Sequence, residues 1–247
     1  MQNLSHFPFK KTILSGLWLT AVFLLSGCQT TPPAETPVAS STGELSPLPE
    51  LPIQNAIHYK VDPVQTDMRI LVYRGGPLAK FGHNHVISIK EAAGDIYIAE
   101  DFHHSGFVLT FPVKAMEVDP QAARADEGEE FAIQPSTEAI AGTRKNMLGS
   151  GVLDADNYPE IKIHSVSVIG PDWGPEVTIQ ITLHGVTNEY TVPIAIDYSD
   201  HNLTATGMLV LRTTDFNMTP FSVLGGGLQV QDEIKIRFRI VADKAPT

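Results

Sequence analysis

Two histidines one residue apart, in Phe81-Gly82-His83-Asn84-His85-Val86-Ile87, are the most chemically able pair in the chain. On an extended strand alternate side chains share a face, so His83 and His85 would sit together with Phe81, Ile87 and Ile89. Two imidazoles on one face have two uses. With a third ligand from His103, His104 or His164 they would hold Zn²⁺ or Cu²⁺. Alone, they would supply hydrogen bonds at the rim of an apolar cavity. No H-E-x-x-H pattern follows, and the single cysteine, Cys28, is far away in sequence, so polar lining is the leading expectation and metal the alternative.

Other reactive side chains have simpler readings. Arg212 and Asp215 are close enough in sequence to pair near the last hairpin. His103-His104 sits in a turn and is expected to face solvent. His184 is expected to satisfy backbone groups of its own turn. Gly225-Gly226-Gly227 lacks the G-x-x-x-x-G-K-[ST] spacing of a phosphate loop and reads as close backbone approach in a β corner. There is no G-x-S-x-G, no candidate nucleophilic cysteine and no C-x-x-C-H for covalent haem. A binding protein without a cofactor of its own is expected, not an enzyme.

These side chains must be positioned by strands. Val177, Ile179, Ile181 and Leu183 alternate with polar residues, as do Tyr190 to Ile196, Ile234 to Ile240 and Phe107 to Val113. In Ile161 to Val168 the apolar phase slips by one near Ser165, the mark of a β-bulge. With Met68–Tyr73, Phe81–Ile89, Ile96–Ile98 and Leu203–Leu211, the pattern predicts about eight or nine strands, as in a closed barrel or a sandwich. Ser136 to Leu148 breaks the alternation and predicts a short amphipathic helix, capped by Ser136 and ended by Gly149. It would plug one end of a barrel or pack as an ordinary helix. Ala122 to Glu130 is expected to be an acidic surface loop.

The N-terminal segment has a separate logic. Lys10 and Lys11, the apolar run Ile13 to Leu25, and Leu25-Ser26-Gly27-Cys28 describe a secretory signal over residues 1–27. Cys28 stands where a bacterial lipoprotein signal carries its acylated cysteine, and Gln29 behind it favours the outer membrane. Residues 28–55, rich in Thr, Pro, Ala and Ser, are expected to form an unstructured tether. Residues 56–247 are long enough for one domain with a sizeable core. The whole chain carries a net charge of −11, and loss of the signal removes Lys10 and Lys11 but no acid. That balance excludes nucleic acid and broad attraction to anionic lipid surfaces, so membrane contact must come through the acyl anchor.

Leu183-His184-Gly185-Val186-Thr187, Leu211 to Phe216 with Leu224 to Glu233, Tyr158-Pro159-Glu160-Ile161 and Leu148-Gly149-Ser150 occur in an order that resembles the YceI-like family of periplasmic lipid-binding proteins. The resemblance spans roughly Ala56 to Ala242. It implies an all-β fold, an antiparallel lipocalin-like β-barrel of about eight strands with a short helix near one end. It also implies a long apolar, isoprenoid-type lipid held inside, with a homodimer left open. The expected apolar lining is Phe81, Ile87, Phe107, Leu109, Phe111, Met147, Leu148, Phe216 and Phe221. The expected polar rim is His83, His85 and Arg212. A barrel filled by its own side chains, acting as an interaction module, is the further alternative.

Overall fold

The computed structural model describes residues 45–246. The signal segment, Cys28 and most of the tether lie outside the described residues. In chain order the elements are β1 (Ile57–Val61), β2 (Asp67–Gly75), β3 (His85–Ile89), β4 (Ala93–Ile98), β5 (Gly106–Pro112) and β6 (Glu117–Val118). Then follow α1 (Gln121–Asp126), α2 (Thr137–Leu148), β7 (Glu160–Ile169), β8 (Glu176–Leu183), β9 (Val186–Tyr198), β10 (Asn202–Arg212), β11 (Ser222–Val223) and β12 (Leu228–Lys244).

Every strand pairing is antiparallel, and the sheet closes on itself. β12 pairs with β10 along one edge; along the other it pairs with β2 and then β1. β1–β2, β3–β4 and β5–β6 each act as one interrupted stave. With β7, β8, β9, β10 and β12 they make an eight-stranded up-and-down barrel, with the two-residue β11 clipped to β12. Closure leaves an unpaired side only on the two-residue strands β6 and β11 among the described residues. Its upper end carries the connections 76–84, 119–159, 184–185 and 213–227. Its lower end carries 99–105, 170–175 and 199–201.

The alternation in the sequence is the inside–outside alternation of the wall. On β8, Val177, Ile179, Ile181 and Leu183 are buried and point inward. Thr178 and Thr182 face outward, where their hydroxyls meet Thr191 and Thr187 on β9 at 3.1 and 2.9 Å. The expected slip on β7 is present: pairing with β8 shifts between Ser165 and Ser167. Ser165 is buried, and its Oγ accepts the Phe107 N–H at 2.8 Å, replacing a ladder bond.

The β8–β9 hairpin turns on His184 and Gly185, both in the left-handed region with φ of 51° and 75°. That is the backbone of a two-residue type I′ turn. A side chain at Gly185 would also strike the Tyr158 ring. Leu78 N donates to Gly227 O at 2.7 Å, and a Cβ on Gly76 would lie 2.6 Å from the carbonyls of Gly226 and Gly227. The triple glycine is therefore a corner where two loops touch.

Three expectations need correction here. Phe81 to Asn84 is not strand: Ala79–Phe81 forms a 3-10 turn and β3 starts at His85. The acidic stretch Ala122–Glu130 is not a free loop, because Gln121–Asp126 is helical and anchored by buried Arg124, with Phe131 buried just after it. Arg212 pairs with Asp232, Nε to Oδ2 at 3.1 Å, and not with Asp215.

Candidate ligand-binding cavity

The barrel interior is not filled by its own side chains. It encloses a cavity of about 500 Å³ whose wall is almost wholly aliphatic and aromatic. At the lower end it reaches Leu203, Pro175 and Phe102, the last stacked on Tyr198 with ring centroids 6.0 Å apart. At the upper end it reaches Thr213, Met218, Phe221 and α2. From Leu203 to Thr213 the wall follows strand β10. At roughly 3.3 Å per residue and a tilt of roughly 40°, that is a slot on the order of 25 Å long.

Helix α2 spans part of the upper end. Ser136 Oγ caps its first turn by accepting the Ala139 N–H at 3.2 Å, as expected, and Gly149 terminates it. Its amphipathic character is weaker than the sequence suggested. None of its residues is fully buried; Ile140, Met147 and Leu148 only lean on the core. Ala139, Gly142, Thr143, Asn146 and Met147 line the cavity, and a Cβ at Gly142 would meet nothing within 4 Å. Arg144 fastens the helix to the barrel through the carbonyls of Met116 and Lys114.

Of the residues expected to line the interior, Ile87, Phe107, Leu109, Phe111, Met147 and Phe221 do so. Phe81 does not. It is 68% exposed, beside the Lys80 ammonium, because the 3-10 turn ends the alternation before β3 begins. Phe216 is fully buried but sits in the upper corner, stacked on Tyr190 at 6.2 Å, outside the cavity wall. Leu148 packs against the core one position beyond Met147 and does not reach the wall. Arg212 faces outward, away from the slot.

The histidine pair is divided. His85 shares the inner face of β3 with Ile87 and Ile89, whereas His83 precedes the strand and does not line the cavity. Their rings lie 6.4 Å apart. The proposed third ligands are elsewhere. His164 sits on β7 between inward-facing Ile163 and buried Ser165, and His103 and His104 pair with Asp101 in a lower loop. Among the described residues no group of three His, Cys, Asp or Glu side chains is arranged to hold a metal ion.

A buried charge cluster holds His85 in place, and sequence reasoning missed it. Asp119 is fully buried, and its Oδ2 lies 2.6 Å from His85 Nδ1. Its Oδ1 accepts from Val86 N at 2.9 Å and from Arg124 Nη1 at 2.5 Å. Arg124, also buried, donates onward to the carbonyls of Asn84 and Ile133, at 2.8 and 2.6 Å. Its Nε has no partner. Asp119 adopts a left-handed backbone, φ 54°, uncommon for a non-glycine residue but best tolerated by Asp and Asn. Burial works against its charge; the His85 and Val86 hydrogen bonds and Arg124 outweigh burial and hold the carboxyl below the usual carboxylate range. One clue was available: Arg124 is the only basic side chain in Ala122–Glu130.

A closed antiparallel eight-stranded barrel around an apolar slot defines a lipocalin-like β-barrel protein. The YceI-like domain model matches residues 59–242, and the chain belongs to that family. The crystal structure of Burkholderia cenocepacia BcnA is similar, with a TM-score of 0.56 at 16% identity, covering 73% of this chain and 98% of that one. The Campylobacter jejuni YCEI protein gives a TM-score of 0.46 at 11% identity, over 65% of this chain and 85% of that one. No curated protein matches the sequence.

Proposed function

We propose that this protein binds one long-chain apolar lipid, of the isoprenoid type, inside the barrel, for storage, shielding or transfer in the bacterial periplasm. The observation that carries this reading is the apolar slot running between the two ends. A volume of about 500 Å³ is within the usual range for a ligand site. Spread over a length on the order of 25 Å, it leaves a section of roughly 20 Å², suited to one chain in single file. The driving force is removal of apolar surface from water, about 0.8 kcal/mol per buried methylene. The wall is almost wholly hydrocarbon, which suits holding a lipid.

An acyl group on Cys28 would keep the barrel beside the outer membrane that supplies or receives the lipid. The expected tether ends before residue 55, because Ser46 is already docked on the barrel, its carbonyl accepting from Gln180 Nε2 at 2.6 Å. Titration of delipidated protein with straight-chain alcohols of increasing length tests the slot. Affinity should rise with each added carbon and level off once the chain outgrows the barrel. An affinity independent of length would exclude interior binding.

A further inference from the structure

We infer, on the reading of the barrel as a lipid site, that His85 selects a ligand with an uncharged hydroxyl head, accepting its hydrogen bond through Nε2 at the upper end of the cavity. His85 is the first residue of β3 and belongs to the cavity wall. Its Nδ1 faces a carboxylate oxygen at 2.6 Å, an acceptor that requires the ring proton on Nδ1. In the neutral ring this leaves Nε2 as a bare lone pair. Nε2 makes no hydrogen bond among the described residues.

Charge counting favours the neutral ring. Asp119 is already compensated by Arg124 at 2.5 Å, both side chains being buried. A protonated His85 would share the one Asp119 carboxylate with Arg124, leaving two positive charges against one negative beside an apolar wall. The rest of the lining argues the same way: no Lys, Arg, Asp or Glu reaches the cavity. A phosphate or carboxylate head would find no counter-charge inside and would oppose its own lone pairs to that of Nε2. A hydroxyl donates to Nε2 and can use Thr143 and Asn146 of α2, which line the same end. Asp119 acts through His85 as a positioning residue, fixing the tautomer and ring orientation.

Two measurements test this. ¹⁵N NMR of the unliganded wild type at pH 8 should show the His85 proton on Nδ1 and an unprotonated Nε2; a proton on Nε2 overturns the proposal. Delipidated protein is then titrated with a C20 isoprenoid alcohol, its methyl ether and its monophosphate, followed by native mass spectrometry. The wild type should bind the alcohol roughly tenfold tighter than the ether, the worth of one hydrogen bond. His85→Leu should bind both alike, at about the wild-type ether affinity. Equal binding of alcohol and ether by the wild type, a preference surviving in His85→Leu, or tightest binding of the monophosphate would each refute the role of His85 while leaving lipid binding intact. Failure of all three ligands to bind would overturn the lipid reading itself.

Discussion

His85 Nδ1 lies 2.6 Å from Asp119 Oδ2, which ties a side chain of the cavity wall to a charge pair formed with α1 outside the barrel. The consequence is mechanical as well as chemical. The His85 ring is held at Nδ1, which fixes its orientation in the cavity wall.

Breaking that cluster should be expensive. Asp119→Asn removes the charge that balances buried Arg124, and an uncompensated buried charge costs about 3–5 kcal/mol. Urea denaturation should show a loss of that order. The double change Asp119→Asn/Arg124→Met should recover part of it, because no ion is then left buried. A single-variant loss below about 1 kcal/mol would mean that water reaches the pair.

Helix α2 offers a way to fill the cavity without touching the wall. Gly142→Ala should stabilise the protein by about 0.5–1 kcal/mol, since the new methyl meets open space and the helix loses a glycine. Gly142→Leu should fold normally and lose co-purified lipid, its side chain occupying the upper slot. Met147→Glu should likewise stay folded and lose lipid, because α2 has no fully buried residue and can swing outward. Ile236→Glu, fixed on β12, should unfold the barrel. Thermal melts and lipid extraction on the four variants check these outcomes.

Asp232 should govern part of the acid stability. It lies in the β12 irregularity and braces the 213–216 turn, accepting from Thr214 N, Thr214 Oγ1, Thr213 Oγ1 and Arg212 Nε. Burial raises its pKa, but these bonds outweigh burial and bring it down to about 2. A carboxyl depressed in the folded state contributes stability above its unfolded pKa and loses it as pH falls through the folded one. The contribution should therefore be complete above about pH 5 and gone near about pH 1. Allowing for partial solvent screening, Asp232→Asn should cost about 1–2 kcal/mol at pH 7, and the cost should shrink through pH 2 towards zero near pH 1. Chemical denaturation across that range measures it.

The anchor is checked separately. Protein purified from membranes should carry acyl mass on Cys28, and Cys28→Ser should abolish acyl-dependent membrane retention. Mature protein without that mass would remove the anchor from the proposal.

Much of the barrel was legible because its wall alternates strictly. Val177 to Leu183 and the slip at Ser165 follow from period two alone, and Ser136 announces its own cap. The site was less legible. Alternation continued through Gly82 suggested that Phe81 and His83 face inward, but the chain makes a 3-10 turn there, which local pattern does not reveal. The strings that carry the family resemblance turned out to share a corner: Tyr158 packs edge-on against His184 at 5.2 Å, and His184 Nδ1 bonds to Phe216 O at 3.0 Å. They build the upper rim as well as part of the wall, and Phe216 was misread as lining because it sits in that corner, stacked on Tyr190. Asp119 was invisible because its meaning depends on His85, 34 positions earlier, meeting Arg124 only in the fold.

The most direct measurement is organic extraction of the protein purified from its native envelope, followed by mass spectrometry of the extract. The expected result is one long-chain, hydroxyl-headed lipid at close to one molecule per barrel, absent from a parallel Gly142→Leu preparation. A wild-type protein that is folded, envelope-derived and free of lipid would contradict the central claim.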